Sequence, residues 1–302
     1  MVRIFAVATF QFITILILSS IAFAQDDGEI VKVDSSIVVL NASISDPSGR
    51  QVSGLKQPQF HVFEDGIEQP ISFFAAEETP FGAAILIDTS GSMEERVSLA
   101  RSAAIKFLEG LRIDDVVAIY NFDSKVKQIQ DFSNIRDLSD AFFDLKASGM
   151  TVLNDAIRKA AKDLTDRKEK RKAIIVLSDG QDTQSSTSTE KALKFALAAD
   201  VSIYTVDMSS IETGGKQSMQ NQGVLKNFAE KTGGFFVATP GGVALRDAFQ
   251  RIVTELGNQY TIGYQPLAPK TDGKWHALEL RINRPNLTVR TRKGYNAPKS
   301  KK

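Results

Sequence analysis

Asp88-Thr89-Ser90-Gly91-Ser92 places one carboxylate and two hydroxyls at alternate positions of a five-residue stretch. Three side-chain oxygens so close together can surround a small cation, and hard oxygen donors select Mg²⁺, Mn²⁺ or Ca²⁺ over zinc or copper. Gly91 reads as the residue that lets the backbone bend tightly around the ion. Ser and Asp also cap helices and fill turns in any fold, so the meaning of the pattern depends on where it sits.

It sits between a strand and a helix. Ala83, Ala84, Ile85, Leu86 and Ile87 form a continuous apolar run, as expected of a parallel-sheet strand buried on both faces. Over residues 94–111, Val97, Ala100, Ala104, Phe107, Leu108 and Leu111 recur at helical spacing. The motif is therefore expected at the carboxyl end of a strand, the edge where open α/β sheets bind ligands. Further strands are predicted over 116–122, 126–132 (a short edge strand), 173–177, 201–206 and 235–237. Helices are predicted over 135–145, 152–164, 189–199, 224–231 and 245–256. Their alternation implies a doubly wound α/β domain with right-handed crossovers.

Both flanks read as β structure. Val38, Leu40, Ala42 and Ile44 alternate with polar residues, Asp46-Pro47-Ser48-Gly49 spells a turn, and Asp65-Gly66 marks a hairpin between strands at 60–64 and 67–74. Beyond the α/β region strands are predicted over 260–264, 275–282 and 287–292, with a turn at Asp272-Gly273. Neither flank has enough strands for a sheet pair of its own. The expectation is one discontinuous β-sandwich domain of about six strands, interrupted by the α/β domain. The boundaries are a leader at 1–24, β at 25–78, α/β at 79–257, β at 258–297 and a basic tail at 298–302.

The leader has Arg3, then an apolar stretch, then Ala22-Phe23-Ala24, the order of a secretory signal peptide. An uncleaved anchor is the other reading, but Thr9, Gln11, Thr14, Ser19 and Ser20 interrupt the stretch. Cleavage would leave no membrane span and would place the protein outside the cytoplasm, in a periplasm or secreted. Without Arg3 the basic residues number one fewer than 37 and balance the 36 acidic ones. That neutrality gives no support to a general nucleic-acid binder, and the basic residues from Arg290 to Lys302 read as a solvated tail. The absence of cysteine rules out disulfides, thiolate ligands and thiol nucleophiles.

With these elements in place, Ile85-Leu86-Ile87-Asp88-Thr89-Ser90-Gly91-Ser92-Met93 resembles the Asp-x-Ser-x-Ser signature of von Willebrand factor type A domains. Gly149-Met150-Thr151 with Asn154-Asp155-Ala156-Ile157 is similar to the loop carrying that family's metal-binding threonine, and Ile175-Val176-Leu177-Ser178-Asp179-Gly180 to the strand end carrying its second aspartate. The resemblance covers roughly residues 79 to 257. It implies a Rossmann-like fold and a metal-ion-dependent adhesion site formed by Asp88, Ser90, Ser92, Thr151 and Asp179. It further implies a divalent cation, Mg²⁺ foremost, with Mn²⁺ or Ca²⁺ as alternatives. The implied partner is a protein presenting an Asp or Glu carboxylate to the cation. Asp182 and Asp207 are read as capping groups or as groups behind the ligands. Asp46-Pro47-Ser48-Gly49, Phe60 to Gly66, Tyr260 to Tyr264 and Arg292 to Tyr295 resemble a bacterial exported group of the same family.

Two rival readings stand beside this non-enzymatic one. A metal-dependent hydrolase would want a general base, yet the only histidines, His61 and His276, fall in predicted flank strands. A scaffolding subunit of an envelope complex would bind through its β domain or tail instead. The short connector Gly257-Asn258-Gln259 allows two expectations: the last helix is coupled to the β domain and moves it, or Gly257 merely ends that helix as a left-handed cap.

Overall fold

The computed structural model describes residues 37–299 apart from 77–78, 135–136, 210–215, 239–241 and 269; the expected leader and the end of the basic tail lie outside them. Alternation makes β1 (Val38–Ser45) a strand with one dry face, burying Val38, Leu40, Ala42 and Ile44. Asp46 turns the chain after it, its carboxylate accepting from the Ser48 and Arg50 amides. The hairpin β2 (Phe60–Glu64) to β3 (Ile67–Gln69) turns at Asp65 and Gly66 with φ of 50° and 82°, the two positive values a tight hairpin requires. Residues 67–74 are not one strand as expected. Pro70 supplies no amide to a ladder, so β3 ends there and β4 (Ile71–Ala75) joins a different sheet.

The α/β region follows with β5 (Phe81–Asp88), α1 (Val97–Glu109), β6 (Val116–Phe122), β7 (Val126–Ser133), α2 (Asp140–Phe143) and α3 (Leu153–Thr165). It continues with β8 (Arg171–Ser178), α4 (Thr189–Ala198), β9 (Val201–Asp207), α5 (Lys216–Thr232), β10 (Phe236–Ala238) and α6 (Val243–Gly257). The sheet order is β10-β9-β8-β5-β6-β7, parallel throughout except for the antiparallel edge strand β7. Every residue of β5 is buried. Ala83, Ile85 and Ile87 pack with α1 and α6, whereas Ala84 and Leu86 pack with α3, α4 and α5. Helices on both faces are what an unbroken apolar strand demands.

Three helices differ from expectation. The first begins at Val97, after a single 3₁₀ turn at Gly91–Met93. The one expected over 135–145 contracts to the four residues of α2, which buries only Phe142. In contrast, α5 starts at Lys216, well before the expected 224, because its first two turns are polar and carry no apolar period to read.

The chain ends in β11 (Tyr260–Tyr264), β12 (Trp275–Ile282), β13 (Thr288–Arg290) and β14 (Gly294–Asn296), the last not anticipated. Strands from both flanks interleave in two four-stranded sheets, β13-β1-β11-β4 and β14-β12-β2-β3. A shared core contains Leu40, Phe60, Val62, Tyr260, Ile262 and Leu280. Among the described residues, eight strands therefore stand where about six were expected.

Polar side chains join these sheets to the α/β region. Arg171, fully buried at the start of β8, donates to the carbonyls of Leu256 (3.3 Å), Gly257 (3.0 Å) and Gln259 and to Thr261 Oγ1 (3.4 Å). Glu255, also fully buried, pairs with Arg290 and accepts from the Tyr204 hydroxyl at 2.9 Å. Burial, with Glu255 beside it, holds the Tyr204 phenol well above its ordinary pKa, so it stays a donor. Gly257 is no left-handed cap: it is the last residue of α6 and has no positive φ, and the Arg112 guanidinium lies where its Cβ would be. The glycine leaves room for that guanidinium, which would have to swing aside for a larger residue.

Candidate metal centre

Strand order reverses between β5 and β8, the two neighbours whose carboxyl ends carry Asp88 and, one residue on, Asp179. The crevice outside such a reversal is where these sheets bind ligands. Asp88 is fully buried. Its Oδ1 accepts from the Ser90 amide (2.9 Å) and the Ser90 hydroxyl (2.6 Å), while its Oδ2 accepts from the Ser178 hydroxyl (2.5 Å). Ser90 Oγ lies 3.2 Å from Ser92 Oγ. Since the one Ser90 hydroxyl proton goes to Asp88, Ser92 is the donor in that contact. Ser90 is buried and Ser92 exposed, so the row of oxygens leads from the core to the surface.

Hydrogen bonds link two further loops to this one in series. The Ser148 amide donates to Thr89 O (2.8 Å), and the Gly91 amide to Gly149 O (3.2 Å). Thr151, almost fully buried, donates its amide to Thr183 Oγ1 (2.9 Å) and accepts at its carbonyl from Thr183 and Gln184 (3.0 Å each). That ties the Thr151 loop to the one following Asp179. Asp179 accepts from the Gln181 amide (3.0 Å) and borders, with Ser92, a cavity of about 520 Å³. Asp182 caps α3 by accepting from the Asn154 amide (2.8 Å), and Asp207 accepts from Ser209 and Gln222.

The glycine this geometry needs is not Gly91, whose φ is ordinary and whose added Cβ would meet nothing closer than 3.6 Å. It is Gly149, at φ 77°, where a Cβ would lie 2.6 Å from Ser124 Oγ. That hydroxyl accepts the Met150 amide at 3.0 Å. In the sequence Ser178 stands out only as part of a strand end. Its signal is a lone hydroxyl ending an apolar strand directly before an acid.

Burial pushes the Asp88 carboxyl up to about 7; hydrogen bonds from Ser178 and Ser90 offset part of that, and the neighbouring Asp179 carboxylate adds to it. No basic side chain is among the largest influences on it. A buried acid beside a second acid, surrounded by hydroxyls, is a donor set of hard oxygens alone, and it fits Mg²⁺, Mn²⁺ or Ca²⁺.

Both histidines lie in the flank sheets, His61 beside Glu68 (2.7 Å) and His276 between Asp65 (2.8 Å) and Asp272 (3.3 Å). Glu64, Asp65 and His276 have metal-ligand side chains within 4.8 Å of one another. There the Lys270 ammonium, 2.6 Å from Asp65, already supplies the cation.

Among known proteins, the chain is 26% identical over 182 residues to an uncharacterised protein of Synechocystis, an alignment covering 57% of this chain and 42% of that one. The chain thus spans less than half the length of that relative. A von Willebrand factor type A structure from Catenulispora acidiphila superposes with a TM-score of 0.50 at 12% identity, covering 89% of this chain and 76% of its own. The pilus adhesin SpaC of Lactobacillus rhamnosus GG gives 0.50 at 11% identity, over 85% and 49% of the two chains. At such identities the likeness is one of fold. The family model of the von Willebrand factor type A domain matches residues 84–251, more than half of the 302 residues. The sheet order, the loop geometry and this match together place the chain in the von Willebrand factor type A domain family.

Proposed function

We propose that this protein is an exported, non-enzymatic binding module that holds a divalent cation, Mg²⁺ foremost, on Asp88, Ser90, Ser92, Thr151 and Asp179, and through it captures a carboxylate of a partner protein. The observation that carries this reading is Asp88, fully buried at the switch-point crevice, with hydroxyl and amide donors on its carboxylate and a second acid, Asp179, beside it. When bound, the cation supplies a positive site whose coordination an Asp or Glu carboxylate completes. The chain's own part is orientation. Ser90 gives its proton to Asp88, which leaves oxygen lone pairs for a cation, and the linked loops at 148–151 and 179–185 hold Thr151 and Asp179 to the same edge.

The non-enzymatic part of the reading rests on the same donors: the side chains hydrogen-bonded to Asp88 are serines, and neither histidine belongs to the α/β region. Its exported address rests on the leader expected over residues 1–24. The fold likeness to a pilus adhesin accords with it. Among the described residues no helix is long and apolar enough to cross a membrane. We read 25–78 and 258–297 as one β unit carrying the binding domain, 79–257.

Calorimetric titration with Mg²⁺ or Mn²⁺ tests the centre. Asp88→Ala and Asp179→Ala should each abolish cation binding and leave the fold intact, and capture of a partner from envelope extract should disappear in chelator. Unchanged cation affinity in both variants removes the basis for the site. Capture that survives chelation favours a scaffold binding through the flank sheets.

A further inference from the structure

The parallel ladder between β5 and β8 has its last backbone register pair at Ile87 and Leu177. One residue further the two strands are joined by side chains instead, Ser178 Oγ donating to Asp88 Oδ2 at 2.5 Å. Beyond that point Ser178 is paired on its other side, with Asp207 of β9. The Asp88–Ser178 bond therefore lies where the strands part to open the crevice. Ser178 is fully buried, and its hydroxyl also accepts from the Gly180 amide at 3.0 Å. One hydroxyl thus holds Asp88 on one strand and the backbone on the far side of Asp179 on the other.

We propose that Ser178 is the positioning residue of the metal centre: its hydroxyl fixes the Asp88 carboxylate and, directly preceding Asp179, sets the separation of the two acids across the crevice. The proposal rests on the metal reading above and adds to it a residue that offers the cation no ligand. The Asp88 carboxylate has two oxygens, and Ser90 secures only one of them. Without Ser178 the carboxylate is held at Oδ1 alone, by Ser90, and the Gly180 amide loses its acceptor. Groups that orient ligands without touching the metal typically govern affinity by about 10- to 100-fold. Ser178 has the geometry of such a group on both sides of the crevice.

The test uses the full chain with Ser178→Ala, Ser178→Thr and Asp88→Ala, each titrated with Mn²⁺ and unfolded by denaturant in chelator. S178A should weaken Mn²⁺ binding about 10-fold, and S178T, which keeps the hydroxyl, should regain most of that loss. Cation affinity should follow the presence of the hydroxyl and not the unfolding midpoint in chelator. If S178A binds Mn²⁺ as the parent does while D88A does not bind, the positioning role is overturned and the metal reading stands. If D88A binds as well as the parent, the metal reading itself fails and the proposal with it. Equal losses in S178A and S178T, matched by equal falls in the midpoint, reduce Ser178 to a packing residue and overturn the proposal. Should S178A not fold, Ser178→Cys, which leaves no cavity but offers only a weak donor, gives the comparison in its place.

Discussion

Asp88 and Glu255 are both fully buried acids at the margins of the central sheet, but their surroundings are opposite. Glu255 meets a guanidinium, a tyrosine hydroxyl and the Gln51 amide, and the nearby Arg171 is sated by carbonyls. Asp88 meets only neutral donors and a second acid. A buried charge costs free energy unless it is matched. At the junction the matching is internal and welds two parts of the fold, whereas at the crevice the proposed function leaves it to a cation from solution. Identical burial thus marks structure in one place and a candidate binding site in the other.

The largest break in this comparison comes from Arg290→Ala, which strands the Glu255 carboxylate. Removing one partner of a buried pair should destabilise the protein by about 3 kcal/mol, read by chemical denaturation, with cation affinity unchanged. A parallel fall in affinity would show that the two regions are not independent.

Next in size is the response to the cation itself. Saturating Mg²⁺ at one hundred times its Kd should raise the parent's unfolding free energy by about 2.7 kcal/mol. Asp88→Asn should gain nothing and in chelator should be no less stable than the parent. A stable parent that ignores Mg²⁺ would make Asp88 an ordinary buried acid.

The smallest effect separates two glycines of the same site. Gly149→Ala, at φ 77° and against Ser124, should cost about 1–2 kcal/mol and loosen cation binding. Gly91→Ala should change the unfolding midpoint little, and equal effects from the two would remove the distinction.

That last contrast also shows where sequence reasoning stopped. Gly91 was suspected because it lies inside the motif, but a glycine's need is set by φ and by neighbours distant in the chain, here Ser124. The run from Ala83 to Ile87 was legible because a strand buried on both faces has no polar alternative. The polar first turns of α5 and the single turn of α2 were misjudged because neither has an apolar stripe of the proper length. Pro70 was visible, but the change of sheet it enforces depends on β11, nearly 200 residues later. The five expected ligand positions fall on three loops that the backbone ties together. Ser178 escaped because a single buried serine carries no periodicity.

The Arg171 clamp has a mechanical consequence. A partner held at the carboxyl edge of β8 would pull along that strand toward its first residue, Arg171, at the opposite end of the sheet. There one guanidinium grips the carbonyls of Leu256, Gly257 and Gln259 together with the hydroxyl of Thr261. Tension would reach the flank sheets through contacts loaded side by side, which share the load and must rupture together, and not through contacts that open one after another like a zip.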